Sequence, residues 1–201
     1  MMHNILPFVG QILLLGVLIA VLPGRLVKDA RRRTGVVAVL LAAGMLLPVY
    51  GLTVAQWLRS AVGDPGVLTM VIFANILSQR LSGRNLLAPA ARDSLLLGVI
   101  VIGVVFYPMA LGVGAYDPYH FGFAPVVLPV LVGLVSVVAW FRARRDLAIV
   151  LLLPLIAFNL NLLESVNLWD YLLDPILFFY AVVQGLSGSR FIQLMKRRSK
   201  A

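Results

Sequence analysis

Cysteine is absent, histidine occurs twice, and only 12% of the residues carry a charge. The first absence excludes disulfides, thiol chemistry and cysteine-based metal sites. The second leaves His3 and His120 as the only imidazoles available for acid–base or metal chemistry. The third is the most restrictive. Soluble domains are about a quarter charged, and a water-facing globule with half that share cannot cover its own surface. A soluble enzyme, a disordered chain and a nucleic-acid-binding domain are therefore excluded, although the formal net charge is +9.

Apolar residues fill the space instead. They make up 61% of the chain, and the mean hydropathy is +0.99. A membrane-spanning helix needs roughly 20 mostly apolar residues. Seven such runs are expected, at about 5–23, 35–57, 65–79, 94–114, 124–141, 147–163 and 175–188. The fold this predicts is all-α, one transmembrane domain of seven helices over residues 1–201. The runs at 65–79 and 175–188 are the shortest.

Charge is confined to the connections, and its sign alternates. Connections one, three and five and the carboxy-terminal tail hold 16 of the 17 Lys and Arg against three acids, a net of +13. The remaining connections hold Arg59 against Asp64, Asp117, Glu164, Asp170 and Asp174, a net of −4. Cationic loops stay in the cytoplasm. The expected orientation is thus amino terminus out and carboxy terminus in, in a cytoplasmic (inner) membrane. Arginine outnumbers lysine 14 to 3, compatible with a GC-rich bacterial source. No cation precedes the first run and five follow it, so it reads as a retained helix rather than a cleaved signal.

Asp-Pro occurs three times, at Asp64-Pro65, Asp117-Pro118 and Asp174-Pro175, each in an outer connection. Asp is a good N-cap and Pro suits the first helical position, so all three predict helix or turn starts. Asn161 and Glu164, three apart, are expected on one face if the sixth helix continues that far. Asp170 and Asp174, four apart, are expected to share a face of the next helix. Asn167 with Asp170 fits an N-cap followed by an acid at the third helical position.

The outer connections are short and aromatic, the composition of segments that fold at a membrane surface. Glu164 is placed where the helix dipole disfavours an anion, which points to function. With His120 it forms the candidate acid/base pair; His120 reads equally as an interfacial histidine bonded to a backbone carbonyl. Arg59 either pairs with Asp64 or holds a phosphate or carboxylate. Asp117, Trp169, Asp170, Asp174, Asn161 and Arg59 are candidates for substrate binding. Oxygen and nitrogen ligands for a divalent cation are present, but no known metal spacing is matched, and the residues assign neither a metal nor a cofactor.

Three functions fit. The first is an accessory or scaffold subunit of a cell-envelope system handling lipid or polysaccharide. The second is a membrane-embedded enzyme acting on a lipid or lipid-linked substrate at the outer leaflet through Glu164 and His120. The third is a facilitator for a neutral solute, lined by Asn75, Asn159 and Asn161. Expected partners are membrane lipids and another membrane protein or a second copy, not nucleic acid.

Overall fold

Every apolar run contributes a helix, and charged connections mark the breaks between runs. A computed structural model of the chain describes residues 5–21, 30–123 and 126–188. It is all-α in class and 76% helical. The elements are α1 (Ile5–Val21), α2 (Ala30–Leu46), the two-residue strands β1 (Pro48–Val49) and β2 (Leu52–Thr53), α3 (Val54–Val62), α4 (Val67–Ser82), α5 (Pro89–Ala110), a 3-10 turn (Pro118–Gly122), α6 (Val127–Phe141), α7 (Arg145–Asn159), α8 (Trp169–Leu172) and α9 (Pro175–Gly188). The expectations placed on His3, Pro23, Arg25, Lys28, Asp29, Ala124 and the cations from Arg190 to Lys200 lie outside the described residues.

Contacts between helix ends set the directions. Gln11 of α1 donates to Gly63 O and Asp64 Oδ1, immediately before α4. Arg80 near the end of α4 donates to Ala20 O near the end of α1. These two helices therefore run side by side in the same direction. Ala88 N at the start of α5 donates to Asp146 at the start of α7. The bundle has an acidic end, where Asp64, Glu164, Asp170 and Asp174 meet, and a basic end, where the other described cations gather around Arg80, Arg92 and Arg144.

Two apolar clusters hold the bundle. The larger joins α4, α5, α6, α7, α8 and α9 around Ile72, Leu168, Tyr171, Leu177 and Ala181, with Leu128 from α6. The smaller joins α1, α2 and α3 around Leu15, Ile19, Val37 and Ala55. One helix among the described residues, α5, is long and apolar enough to cross a membrane. Most of its apolar window is not buried by the rest of the chain, and Leu97, Val101, Val104 and Val105 are exposed.

The second run departs most from expectation. The helix ends at Leu46 instead of continuing to residue 57, because Pro48 has no N–H to extend it and disfavours helical backbone at Leu47. Beyond it Tyr50 and Gly51 both take positive φ, 52° and 86°. That pair is a primed turn that returns β1 onto β2. A separate amphipathic helix, α3, then starts on a capping box. The Thr53 hydroxyl accepts from Gln56 N, and the Gln56 side chain accepts from Thr53 N at 2.8 Å. Trp57 Nε1 donates to Val49 O at 2.9 Å and fastens α3 to the hairpin.

Other boundaries shift by about a turn and a half or less. The third helix runs on to Ser82, and the fourth starts at Pro89 and ends at Ala110. The sixth ends at Asn159, before the expected residue 163, since Asn161 takes φ 48°. Asn75, expected as channel lining, is buried in α4, where its Oδ1 accepts from Leu86 N at 2.8 Å and Leu87 N at 3.0 Å. It folds the α4–α5 connection back against α4. Replacing Asn75 by Leu removes both acceptor contacts and leaves the buried Leu87 N–H unpaired, at a cost of about 1–3 kcal/mol. The thermal unfolding midpoint of Asn75→Leu should fall accordingly; an unchanged midpoint would show that the fold-back does not stabilise the chain.

Candidate functional site

The acidic end is built from two connections that lock together, residues 160–174 and 111–123. After α7 the chain turns at Asn161 and folds around one phenol. Tyr171 is fully buried. Its hydroxyl accepts from Leu163 N at 3.2 Å and faces Leu163 O and Ser165 O, each at 3.1 Å, as acceptors. Burial raises the Tyr171 pKa above its ordinary value. The Ser165 hydroxyl accepts from Asn167 N at 3.0 Å and donates to Asp170.

Asn167, almost fully buried, joins the two connections. Its Oδ1 accepts from Trp169 N at 2.9 Å, and its Nδ2 donates to Tyr119 O at 3.0 Å. Leu168 N donates to Gly122 O at 2.9 Å. A methyl group at Gly122 would overlap Asn167 Oδ1, so only glycine allows this approach. Trp169 Nε1 donates to Pro118 O at 3.0 Å, while its ring packs on Phe106 with centroids 4.6 Å apart. Asp117 caps the 3-10 turn by accepting from Tyr119 N at 2.9 Å. The Tyr119 hydroxyl donates to Asp170 Oδ2 at 3.0 Å.

Asp174 joins two helix starts. Its Oδ1 accepts from Leu177 N at 2.8 Å in the first turn of α9. Its Oδ2 accepts from Gly66 N at 2.7 Å, just before α4, and from the Thr69 hydroxyl. A Cβ on Gly66 would lie 2.6 Å from Asp170 O, so the close approach again depends on glycine. Beside this junction, Arg59 Nη2 donates to Asp64 Oδ2 at 2.8 Å and to Glu164 Oε1 at 2.7 Å. The hydrogen bond to Glu164, then that to Asp64, raises the Arg59 pKa further above its already high value.

No protein-family model, curated protein or solved structure matches this chain.

The candidate residues thus divide. Asp174 caps α9 as its Asp-Pro sequence predicts, but Asp64 does not cap α4. The N-cap there is Gly66, and the anion comes from Asp174, 108 residues away. Asp64 sits two residues too early and turns to Arg59 and Gln11 instead. Asp170 and Asp174 do not share a helix, because Leu173 is extended and ends α8. Glu164 is not on a helix with Asn161, since the chain leaves α7 first, and its charge faces Arg59 rather than a helix end. Arg59 takes the expected Asp64 and Glu164 as well.

His120 is exposed, with no side-chain hydrogen bond among the described residues. Asn159 donates to Leu155 O within its own helix. No three of His, Asp and Glu converge to hold a metal among the described residues. Sequence reasoning missed Thr69, Tyr119, Ser165 and Tyr171, the neutral partners of the acids. Their only signal was hydroxyl groups at the edges of apolar runs.

Two outcomes follow. Asp174→Ala uncaps α9 and leaves Gly66 N and the Thr69 hydroxyl without an acceptor. It should lower stability by about 2–3 kcal/mol, against about 1 kcal/mol for Thr69→Val, both read as unfolding midpoints. A larger loss for Thr69→Val would contradict the double cap. Burial and the neighbouring Asp170 push the Tyr119 phenol up to about 12. Because the folded-state value lies above the unfolded value of about 10, this contribution to stability is complete below pH 10. It is lost as pH rises from there through 12. In a spectrophotometric titration, the difference between wild type and Tyr119→Phe should be one phenol ionising near pH 12. A difference centred near pH 10 would refute the contact with Asp170.

Proposed function

We propose that the chain is a seven-span protein of a bacterial cytoplasmic membrane, amino terminus out and carboxy terminus in. In this reading it is a non-catalytic accessory or scaffold subunit of a cell-envelope system handling lipid or polysaccharide. Membrane insertion is supported by the exposed apolar faces of α5 and α6, where Val130, Leu131, Leu134 and Val138 face outward. A soluble protein does not leave such continuous apolar surface uncovered. Orientation is supported by the excess of acids at one end, where Arg59 also lies, and of cations at the other, where Asp93 and Asp146 also lie.

One observation carries the non-catalytic reading. Each of the five acids at the acidic end has an internal partner: Asp64 and Glu164 hold Arg59, Asp117 caps the 3-10 turn, Asp170 receives Tyr119 and Ser165, and Asp174 caps α9 and receives Gly66 and Thr69. They act as braces. The result is a closed, aromatic, negatively charged plate suited to contact with a partner.

The enzyme reading keeps one specific support. Glu164 has 61% of its side chain exposed and adjoins Arg59, which suits a phosphate. Complementation of a deletion strain separates the two. Glu164→Gln and His120→Ala should both restore full function if the chain is a scaffold. Loss of function with intact folding would transfer the assignment to the enzyme. Orientation is tested separately in the natural cysteine-free background. A membrane-impermeant maleimide should label His120→Cys in intact cells and Arg84→Cys only after permeabilisation; the reverse order would invert the topology.

A further inference from the structure

A cleft of about 320 Å³ lies between α5 and α6, floored by α7 through Leu151. This is at the small end of ligand pockets, roughly 300–1,000 Å³. Apart from Ser94 at one end, its lining side chains are apolar or aromatic. Gly98 on α5 opens it, since a Cβ there would meet nothing within 4 Å. Ile102, Leu131 and Val135 line it and are each about half exposed, so it opens sideways along its length. At the acidic end it is closed by Trp169, whose indole N–H is already engaged by Pro118 O, leaving only the ring to face the cleft.

The basic end is different. The Ser94 hydroxyl lines the cleft there and accepts from the Arg144 guanidinium. Arg92 pairs with Asp93 at 2.8 Å, and Arg145 stacks over Trp140. Arg144 has no carboxylate partner among the described residues. The cleft is therefore apolar along its length, cationic at one mouth and aromatic at its closed end. From Ser94 to Ile102 is eight residues, about 12 Å of helix.

We propose that this cleft holds one acyl chain of an anionic phospholipid, its phosphate at Arg144 and its methyl end near Trp169. An amphiphile with one charged head and one apolar tail matches the one-sided polarity, and anionic headgroups are drawn to cations beside a membrane surface. The proposal rests on the membrane reading above and adds the lipid class and its position.

The test uses the full chain with Trp57→Phe and Trp140→Phe, which leaves Trp169 as the single indole. The protein is reconstituted in vesicles of phosphatidylcholine or phosphatidylglycerol brominated near the methyl end of the acyl chain. Trp169 quenching should be at least twofold stronger with phosphatidylglycerol. Gly98→Leu, whose Cβ meets nothing within 4 Å and whose branches extend into the cleft, should abolish that excess. Arg144→Gln should equalise the two lipids. A chain that floats with the vesicles yet is quenched equally by both lipids, or shows the same excess in Gly98→Leu, overturns this proposal alone. A chain left behind when the vesicles float overturns the membrane reading and the proposal with it.

Discussion

A helix that starts away from water leaves its first N–H groups with nothing to donate to. Asp174 meets that requirement at two places with one side chain. One carboxylate oxygen serves the helix that follows it, and the other serves the start of a helix far upstream. Partial positive charges at two helix ends face the same anion. Neither α4 nor α9 can shift without breaking the other's cap. The remaining acidic-end contacts are arranged around this fixed point: Gly66 holds the backbone of Asp170 close, Asp170 collects Tyr119 and Ser165, and Asn167 brings in the 3-10 turn.

That order of dependence explains why the acidic end is closed rather than cleft-like. Short aromatic connections supply rings that fill space and polar tips that reach backbone carbonyls. Tyr171, Trp169 and Tyr119 each offer a hydroxyl or indole N–H to backbone or acid groups that would otherwise be stranded, Tyr171 to three of them. The Arg59 bridge lies at the edge of this plate. Arg59 and Glu164 are both exposed, so that pair contributes little, about 0–1 kcal/mol, while Asp64 on the other arm is more buried. The bridge's value is positional, tying α3 to the segment that follows α7.

Much of the helical arrangement was legible because hydropathy and charge alternate along the chain, and because a cation run between apolar segments forces a break. The run beginning at Gly35 misled because Val49 and Leu52 are as apolar as a helix interior, and hydropathy registers neither the helix break at Pro48 nor φ. Thr53-Val54-Ala55-Gln56 carried the correction in plain form, a capping box inside an apolar stretch. At the acidic end, local chemistry was readable and long-range partners were not. Asp117 and Asp174 start the elements their Asp-Pro sequences announce. That Asp174 would also reach Gly66, or that Glu164 would meet Arg59, depends on how α7 ends and α4 begins, which no window of sequence contains.

The cap on α4 has a temporal side. Its acceptor lies 108 residues downstream. At roughly 5–20 residues per second of synthesis, about 5–20 s separate emergence of Gly66 from emergence of Asp174. During that interval α4 exists without the anion that completes its first turn. The acidic end therefore closes late, after α5, α6 and α7 have been made, and the fold is finished from its carboxy-terminal side.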